Sequence, residues 1–402
     1  MIKKLKIIVL VLTAFFTTNN CSTNTKNTVI HPTESFQEEI NSFNNSKAFS
    51  TNSEKQIEFI EEVRLQIGKE SDLESDNYLY GVKNVVKGLN GDIYVSLPYE
   101  NKIKVFSEDG SYKFSIGRSG RGPGEFMTLS KIEYNSTFNY LIALDRNEID
   151  IFKIEKDTAI HIKSIFQDIE SSTDLCTTKD AIYTNGFKIV ANENEKESNY
   201  NNYFDFQASP PIHKYSLDSL KYEKSFGKNY EYSLGYGPFV GKLSKSLVSC
   251  SENRLVSIYE NFPKIIGYDL DKNIEIWESG IKDLTVSKFK ETKTPEPMLG
   301  KVSGSNEFTY NSLINVNGSN QALLQIGNKP NNTSTSKEQM SFLRDDFFVV
   351  PILINYDTGQ LGILRKQKYV NYYFSKKEEI FSYPISRIDE GQVLNIKSNL
   401  DE

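Results

Sequence analysis

Three consecutive β-strands are predicted by residues 91–116, which read GDIYVSLPYENKIKVFSEDGSYKFSI. The first and third runs, residues 91–97 and 112–116, alternate apolar and polar side chains, the period of a strand with one buried face. The Asp-Gly pair at residues 109–110 predicts a tight hairpin, because glycine readily takes the positive φ that such a turn requires. Three antiparallel strands joined in this way make most of one blade of a β-propeller.

The same unit recurs along the chain, and such repetition is typical of propellers. Each copy places an aromatic side chain shortly before an Asp-containing turn, at Phe106, Phe152, Tyr215, Tyr268 and Tyr356. The last gap is the longest and leaves room for a degenerate blade around residues 312–326. We therefore predict an all-β fold, a six-bladed β-propeller over residues 57–402. Because the spacing of the repeats is uneven, five or seven blades are the alternatives.

The ends of the predicted propeller suggest how its ring closes. Residues 57–67 alternate apolar and polar side chains before the first complete unit, whereas the C-terminal segment, with apolar runs at 380–383 and 393–396, lacks one strand. We predict that the N-terminal strand closes the last blade, because an open blade edge would expose unpaired backbone groups. The alternative is that residues 57–67 belong to a tether and that the last blade is complete alone.

A glycine-rich loop, GRSGRGPGEF, occupies residues 117–126, and a degenerate copy follows at residues 225–239. Its glycines and proline are incompatible with a regular helix or strand and predict a compact turn between blades. Its amides could also form an anion-binding nest beside arginine side chains. The candidate ligand- or anion-binding residues of these loops are Arg118, Arg121, Glu125 and Tyr236, and a purely structural turn is the alternative.

The loop at residues 117–126 resembles the blade-linking signature of NHL-type six-bladed propellers. In particular, it is similar to the six-bladed propeller lipoproteins of one group of Gram-negative bacteria, in which Gly-Arg-x-Gly-x-Gly-Pro-Gly-Glu-Phe recurs. The resemblance is specific at 117–126 and loose at 226–239, and the strand repeats extend it over residues 57–402. It implies a propeller fold, a location in the cell envelope and a binding role.

The N-terminus predicts export. Three lysines within residues 3–6 precede the apolar run 7–16, which is too short to cross a bilayer of about 30 Å. Cys21 follows, where a bacterial lipoprotein is cleaved and acylated on sulfur, although Thr-Asn-Asn at 18–20 departs from a strict lipobox. We predict a signal peptide over residues 1–20, a flexible tether over 21–56 and an outer-membrane lipoprotein, with an ordinary cleavable signal as the alternative.

Composition restricts the partners. The formal net charge is −6, and an acidic protein repels phosphate backbones, so we expect no nucleic-acid partner. Beyond Cys21 the chain has Cys176 and Cys250, which in an oxidising envelope could form a disulfide or remain two buried thiols in separate blades.

No catalytic signature is visible. His161 and His213 are the only histidines of the predicted propeller, too few for the three-histidine zinc site that some NHL-like propellers use. Glu133 lies on a predicted innermost strand and is a weak candidate calcium ligand, the alternative being a solvated channel carboxylate. We predict an envelope-anchored, non-catalytic scaffold for a protein, peptide or glycan, without a cofactor. The alternative is a calcium-dependent hydrolase or lyase with its site in the central channel.

The lipid anchor is testable at Cys21. Since the thiol is the acylation site, Cys21→Ser should move the protein from the membrane to the soluble fraction, as measured by fractionation and immunoblotting. Equal membrane retention of the variant and the unmodified protein would contradict the lipoprotein assignment.

Overall fold

The computed structural model describes residues 63–68, 76–191, 206–229, 241, 244–260, 264–281, 308–328, 349–363, 370–376, 379–384 and 393–397. The chain divides into two compact units, Met1–Ile30 and His31–Glu402, and every described residue belongs to the second. The predicted signal peptide, the tether, Cys21 and Tyr236 lie outside the described residues.

The described residues form 26 β-strands. In chain order these are β1 (Val63–Ile67), β2 (Asn84–Lys87), β3 (Ile93–Leu97), β4 (Lys102–Phe106), β5 (Tyr112–Ile116), β6 (Leu129–Asn135), β7 (Tyr140–Asp145), β8 (Glu148–Glu155), β9 (Thr158–Phe166), β10 (Leu175–Thr177), β11 (Ala181–Asn185), β12 (Ile189–Ala191), β13 (Phe206–Ala208), β14 (Ile212–Ser216), β15 (Lys221–Phe226), β16 (Ser246–Cys250), β17 (Arg254–Tyr259), β18 (Lys264–Asp269), β19 (Ile274–Gly280), β20 (Phe308–Asn315), β21 (Gln321–Asn328), β22 (Val349–Asn355), β23 (Leu361–Ile363), β24 (Val370–Lys376), β25 (Glu379–Pro384) and β26 (Val393–Lys397).

Within the described ranges, these strands build six four-stranded antiparallel sheets and one two-stranded ribbon, β12–β13. We number the sheets as blades: blade 1 is β2–β5, blade 2 is β6–β9, and blade 3 is β10, β11, β14 and β15. Blade 4 is β16–β19, blade 5 is β20–β23, and blade 6 is β24, β25, β26 and β1. The first strands of successive blades contact one another around a ring. The fold is a six-bladed β-propeller.

The repeated aromatics occupy equivalent places in successive blades, as predicted. Phe106, Phe152, Tyr215 and Tyr268 lie on the third strands of blades 1 to 4, and Tyr356 directly follows the third strand of blade 5. All five are almost completely buried. The hairpin predicted in blade 1 is present, with Gly110 at a φ of 84°.

The degenerate blade suggested around residues 312–326 is not a separate blade. These residues form β20 and β21, the first two strands of the blade whose third strand precedes Tyr356. The long gap therefore contains no additional blade, and the sixth blade is built by β24–β26 together with the N-terminal strand.

The N-terminal strand closes the ring, which confirms the prediction for the described residues 63–67. β1 pairs antiparallel with β26, and Ile67 lies opposite Val393. Ile67 is buried in a cluster that includes Phe381 of blade 6 and Val95 of blade 1. The strand therefore completes the last blade and also packs against the first.

Apolar side chains fill the spaces between blades. One cluster joins Val105 and Tyr94 of blade 1 to Ile132 and Phe152 of blade 2, and comparable clusters join blades 2 and 3, 3 and 4, 4 and 5, and 6 and 1. Burying one such side chain is worth about 1.5–3 kcal/mol. Each blade therefore depends on its neighbours for much of its stability.

Polar side chains of the innermost strands link neighbouring blades. The Asn84 side-chain oxygen accepts a hydrogen bond from the Ile132 amide at 2.8 Å, between blades 1 and 2. The Asp174 carboxylate accepts one from the Val248 amide at 2.9 Å, between blades 3 and 4. Each bond satisfies a buried backbone donor that no strand partner reaches, so these side chains fix the alignment of successive blades.

Ring closure is testable at Ile67. Because its side chain is buried between the first and last blades, Ile67→Ala should lower the free energy of unfolding by about 2–5 kcal/mol, measured by urea denaturation. The adjacent exposed residue gives a matched control, since Gln66→Ala should change it by less than about 0.5 kcal/mol. Deleting residues 22–68 should likewise lower the melting temperature sharply relative to deleting residues 22–50, and equal melting temperatures would contradict closure by β1.

Candidate functional site

A cavity of about 300 Å³ opens where the innermost strands of the propeller end. Its wall is formed by the last residues of β6, β10, β16 and β20, by the turns that follow them, and by one residue of β24. The lining residues are Glu133, Tyr134, Asn135, Ser136, Thr137, Cys176, Thr177, Thr178, Lys179, Val248, Ser249, Cys250, Ser251, Glu252, Leu313, Ile314, Asn315, Asn317 and Tyr373.

The blade topology brings these residues together. The chain enters each of blades 2 to 5 at its innermost strand, so these strands run in the same direction and their C-terminal ends meet around the central channel. The turns after them are rich in Ser, Thr and Asn, whose side chains bond to nearby backbone. Asn135, for example, donates to the Thr178 carbonyl at 2.7 Å and accepts from the Phe138 amide at 3.0 Å.

Glu133 is the carboxylate of the cavity wall nearest to the seam between blades 2 and 3. Its side chain is 23 % exposed to solvent, and one carboxylate oxygen lies 3.9 Å from Lys131 Nζ. Lys131 is bonded more closely to Asp174, at 2.7 Å, so it compensates Glu133 only partly. Burial, opposed by the Lys131 charge and reinforced by the Asp174 charge, raises the pKa of Glu133 to about 7. Near neutral pH this carboxyl therefore exchanges a proton readily.

An amide oxygen in the cavity wall lacks a protein partner. The Asn315 side chain donates to Asn317 Oδ1 at 3.1 Å, but its own Oδ1 is buried without a hydrogen bond. Leaving a buried acceptor unsatisfied costs about 1–3 kcal/mol. A donor supplied by a bound molecule would remove that cost.

Two tyrosines lie close to Glu133 from the far side of the ring. The Tyr373 hydroxyl accepts a hydrogen bond from the Lys87 amide at 3.4 Å, and the Tyr356 hydroxyl bonds with Ser249 Oγ at 2.8 Å. Burial raises the pKa of both phenols, and the Glu133 charge adds to the effect. Both hydroxyls therefore remain protonated and can act as neutral hydrogen-bonding groups.

A disulfide forms part of the cavity wall. Cys176 on β10 and Cys250 on β16 are bonded, with their Cα atoms 5.6 Å apart. The sequence left open whether these cysteines pair, and the structure has them paired across the seam between blades 3 and 4. The bond holds two walls of the cavity at a fixed separation.

The glycine-rich loop lies elsewhere, between β5 and β6. Glu125 accepts a hydrogen bond from the Gly122 amide at 2.8 Å and one from Arg118 Nε at 2.6 Å. These bonds hold the pKa of Glu125 below its usual range. A Cβ at Gly120 would displace the Glu125 carboxylate from this position, so the glycine leaves space for it. The Glu125 carboxylate of the loop therefore occupies the Gly122 amide, one of the amides expected to bind an anion. Arg121 Nε donates a hydrogen bond to Met127 Sδ.

The sequence-predicted residues therefore separate in space. Glu133 lines the cavity, whereas Arg118, Arg121 and Glu125 form a linker between blades that does not line it. Asn315 and Tyr373 were missed, because one asparagine or tyrosine among many carries no signal until the strand register is known.

The two propeller histidines lie on different blades. His161 Nε2 lies 3.1 Å from Asp150 Oδ1 in blade 2. His213 bonds to Ser225 Oγ at 2.7 Å and to the Gly186 carbonyl at 3.1 Å in blade 3, and burial lowers its pKa to about 4. His213 is therefore neutral at physiological pH and serves the packing of its blade.

The described ranges contain neither a metal-binding cluster nor a membrane-spanning helix. No three His, Cys, Asp or Glu side chains there lie close enough together to hold a metal ion. Among the same residues, no helix has the length and apolar character needed to cross a bilayer.

Comparison with known proteins supports the architecture. Residues 33–224, just under half of the chain, match a protein family described as "6-bladed beta-propeller". The chain is also 20 % identical to Trigger factor of Clostridium botulinum, strains Langeland and Loch Maree, over 207 residues. The chain spans about half the length of these curated relatives, 46 %, and at this identity the match shows no shared family.

Solved structures with a similar fold are distant in sequence. A member of the DUF4221 family from Bacteroides vulgatus is 12 % identical, with a TM-score of 0.50 over 86 % of this chain and 98 % of that chain. A Bacteroides fragilis protein assumed to be exported is 11 % identical, with a TM-score of 0.49 over 87 % and 98 %. Hydrazine synthase of Kuenenia stuttgartiensis is 10 % identical, with a TM-score of 0.45 over 78 % and 77 %. The likeness to the DUF4221 family member concerns the fold alone.

The raised pKa of Glu133 predicts a pH-dependent stability. Between about pH 4.5 and 7 the unfolded chain loses the Glu133 proton while the folded chain keeps it, so folding is progressively disfavoured as the pH rises. Glu133→Gln removes this effect. The free energy of unfolding of the variant minus that of the unmodified protein should therefore increase by up to about 3 kcal/mol between pH 4.5 and pH 8. Urea denaturation of both proteins across this range measures the difference. The exposed Glu155 gives the control, since Glu155→Gln should show no such trend, and a pH-independent difference for Glu133→Gln would contradict the shift.

Proposed function

We propose that this chain is an exported, lipid-anchored propeller of the cell envelope that acts as a non-catalytic scaffold and binds a polar ligand in the channel cavity. The ligand is a small molecule, or the polar end of a peptide or glycan. The observation that carries the proposal is the cavity itself, because four blades contribute strand ends and polar turns to one concave site.

The chemistry of the wall supports binding. Most small-molecule sites are concave and largely preformed, with a few placed polar groups that fix orientation. Here those groups are the Glu133 carboxylate, the unsatisfied Asn315 oxygen and the surrounding hydroxyls. The disulfide and the inter-blade hydrogen bonds hold them in place, so little ordering is needed when a ligand enters.

The location rests on separate observations. A basic, then apolar N-terminus followed by Cys21 is typical of an exported lipoprotein. The Cys176–Cys250 disulfide supports an oxidising compartment, because structural disulfides are rare in the cytosol. Assignment to the NHL-like propeller lipoproteins of the outer membrane belongs to this proposal and is supported by the loop at residues 117–126.

One observation favours a second function, a calcium-dependent hydrolase or lyase. A carboxyl with a pKa of about 7 in a cavity is suited to general acid–base catalysis at neutral pH. Calcium would require several oxygen ligands around one point, and Glu133 is a carboxylate of this wall that could contribute one.

The binding proposal is tested by obstructing the cavity. Thr137 is exposed in the turn after β6 and lines the cavity, whereas Thr158 is exposed in another hairpin of the same blade and does not. In the Cys21→Ser background, Thr137→Trp should weaken binding to peptides and glycans retained from immobilised libraries by at least about tenfold, or 1.4 kcal/mol. Thr158→Trp should leave that binding unchanged.

Equal binding by the two tryptophan variants would contradict a site in the cavity. Retention of no library member by the protein, with or without added calcium, would contradict the scaffold function. Turnover of a retained ester or lactone that requires both calcium and Glu133 would support the hydrolase instead.

A further inference from the structure

Glu133 and Asn315 place hydrogen-bond acceptors in the cavity wall, in blades 2 and 5. Glu133 contributes two carboxylate oxygens, and the buried Asn315 Oδ1 has no protein donor. A molecule that satisfies these groups must carry donors, because a second acceptor placed against them would leave both unsatisfied.

The charge around Glu133 is also incompletely balanced. Lys131 is the nearest cation, but its ammonium lies 2.7 Å from Asp174 and 3.9 Å from Glu133. One lysine thus serves two carboxylates in the seam between blades 2 and 3. Among the described residues that line the cavity, Lys179 and Glu252 add one positive and one negative charge. With Glu133 ionised, the acidic groups therefore outnumber the basic groups by one, and a bound cation would balance them.

We infer that the cavity recognises a primary ammonium group, with the Glu133 carboxylate as its counter-ion. This inference rests on the proposed binding function and names the ligand class. An ammonium carries three donors and one positive charge, and its hydrogen bonds to a carboxylate are about twice as strong as neutral ones.

The surroundings of Glu133 set how binding depends on pH. Lys131 of the same strand and Asp174, which directly precedes β10, carry the charges that act on it. The buried phenols of Tyr356 and Tyr373 are near enough to be affected by its charge, and both remain protonated. Glu133 is therefore the group that titrates near neutrality. Its ionised form binds the ammonium, so binding releases a proton and the affinity rises as the pH increases through about 7.

The probe is Nα-acetyl-lysine amide, and Nα-acetyl-norleucine amide is its matched neutral control. Calorimetry with the Cys21→Ser protein should show at least about tenfold tighter binding of the lysine derivative. Between pH 6 and pH 8 the ionised fraction of Glu133 rises about tenfold, so the affinity for the lysine derivative should rise by a similar factor. A second pair, 6-amino-6-deoxyglucose against glucose, distinguishes an amino sugar from a lysine side chain as the source of the ammonium.

Charge variants locate the counter-ion. Glu133→Gln should weaken binding of the preferred ammonium probe at least tenfold and abolish its pH dependence, whereas the exposed, distant Glu155→Gln should leave both unchanged. Loss of binding in Glu252→Gln but not in Glu133→Gln would overturn the assignment of Glu133. Equal binding of the charged and neutral member of both pairs, no binding of either ammonium probe, or displacement of the probe by calcium at millimolar concentration would overturn the ammonium inference.

The failure of this inference is distinguishable from failure of the binding proposal. If neutral ligands bind and Thr137→Trp blocks them, the cavity is a binding site with another specificity. If Thr137→Trp has no effect on any ligand, the proposed site itself is wrong.

Discussion

Face-to-face packing of neighbouring blades is the constraint on which this structure depends. A four-stranded sheet with apolar residues on both faces cannot be stable in water alone, so every blade must be covered on two sides. Only a closed ring meets that requirement for all six sheets, and pairing of β1 with β26 closes it. Ile67 joins the two ends of the ring through one buried side chain.

The same constraint creates the cavity. Six sheets packed around an axis cannot bring their innermost strands to a point, so a channel remains along the axis. The channel wall comprises the residues that have no neighbouring blade to pack against, and here most of them are polar. Asn84 and Asp174 use that polarity to align blades, whereas Glu133 and Asn315 face the remaining space. Structural and candidate binding residues therefore share the innermost layer of the propeller.

The fold was largely predictable from the sequence, because strand alternation, the Asp-Gly hairpin and the recurring aromatics are local signals. The extra blade suggested near residue 312 was wrong, since spacing along the chain does not show which strands share a sheet. Of the candidate site, only Glu133 was found in advance, from its place on an inner strand. Asn315, Tyr373 and the Cys176–Cys250 bond depend on which blades face one another, which no local pattern encodes.

The bond between Cys176 and Cys250 makes one of the six seams between blades covalent. A ring in which one of six seams is disulfide-linked is not expected to open equally at every seam on heating. We expect blades 3 and 4 to separate last, and separation to begin at a seam that has no covalent link. Reduction of the disulfide would let the channel wall widen at this seam without breaking any strand pairing. The diameter of the channel would then depend on the redox state of the surrounding compartment.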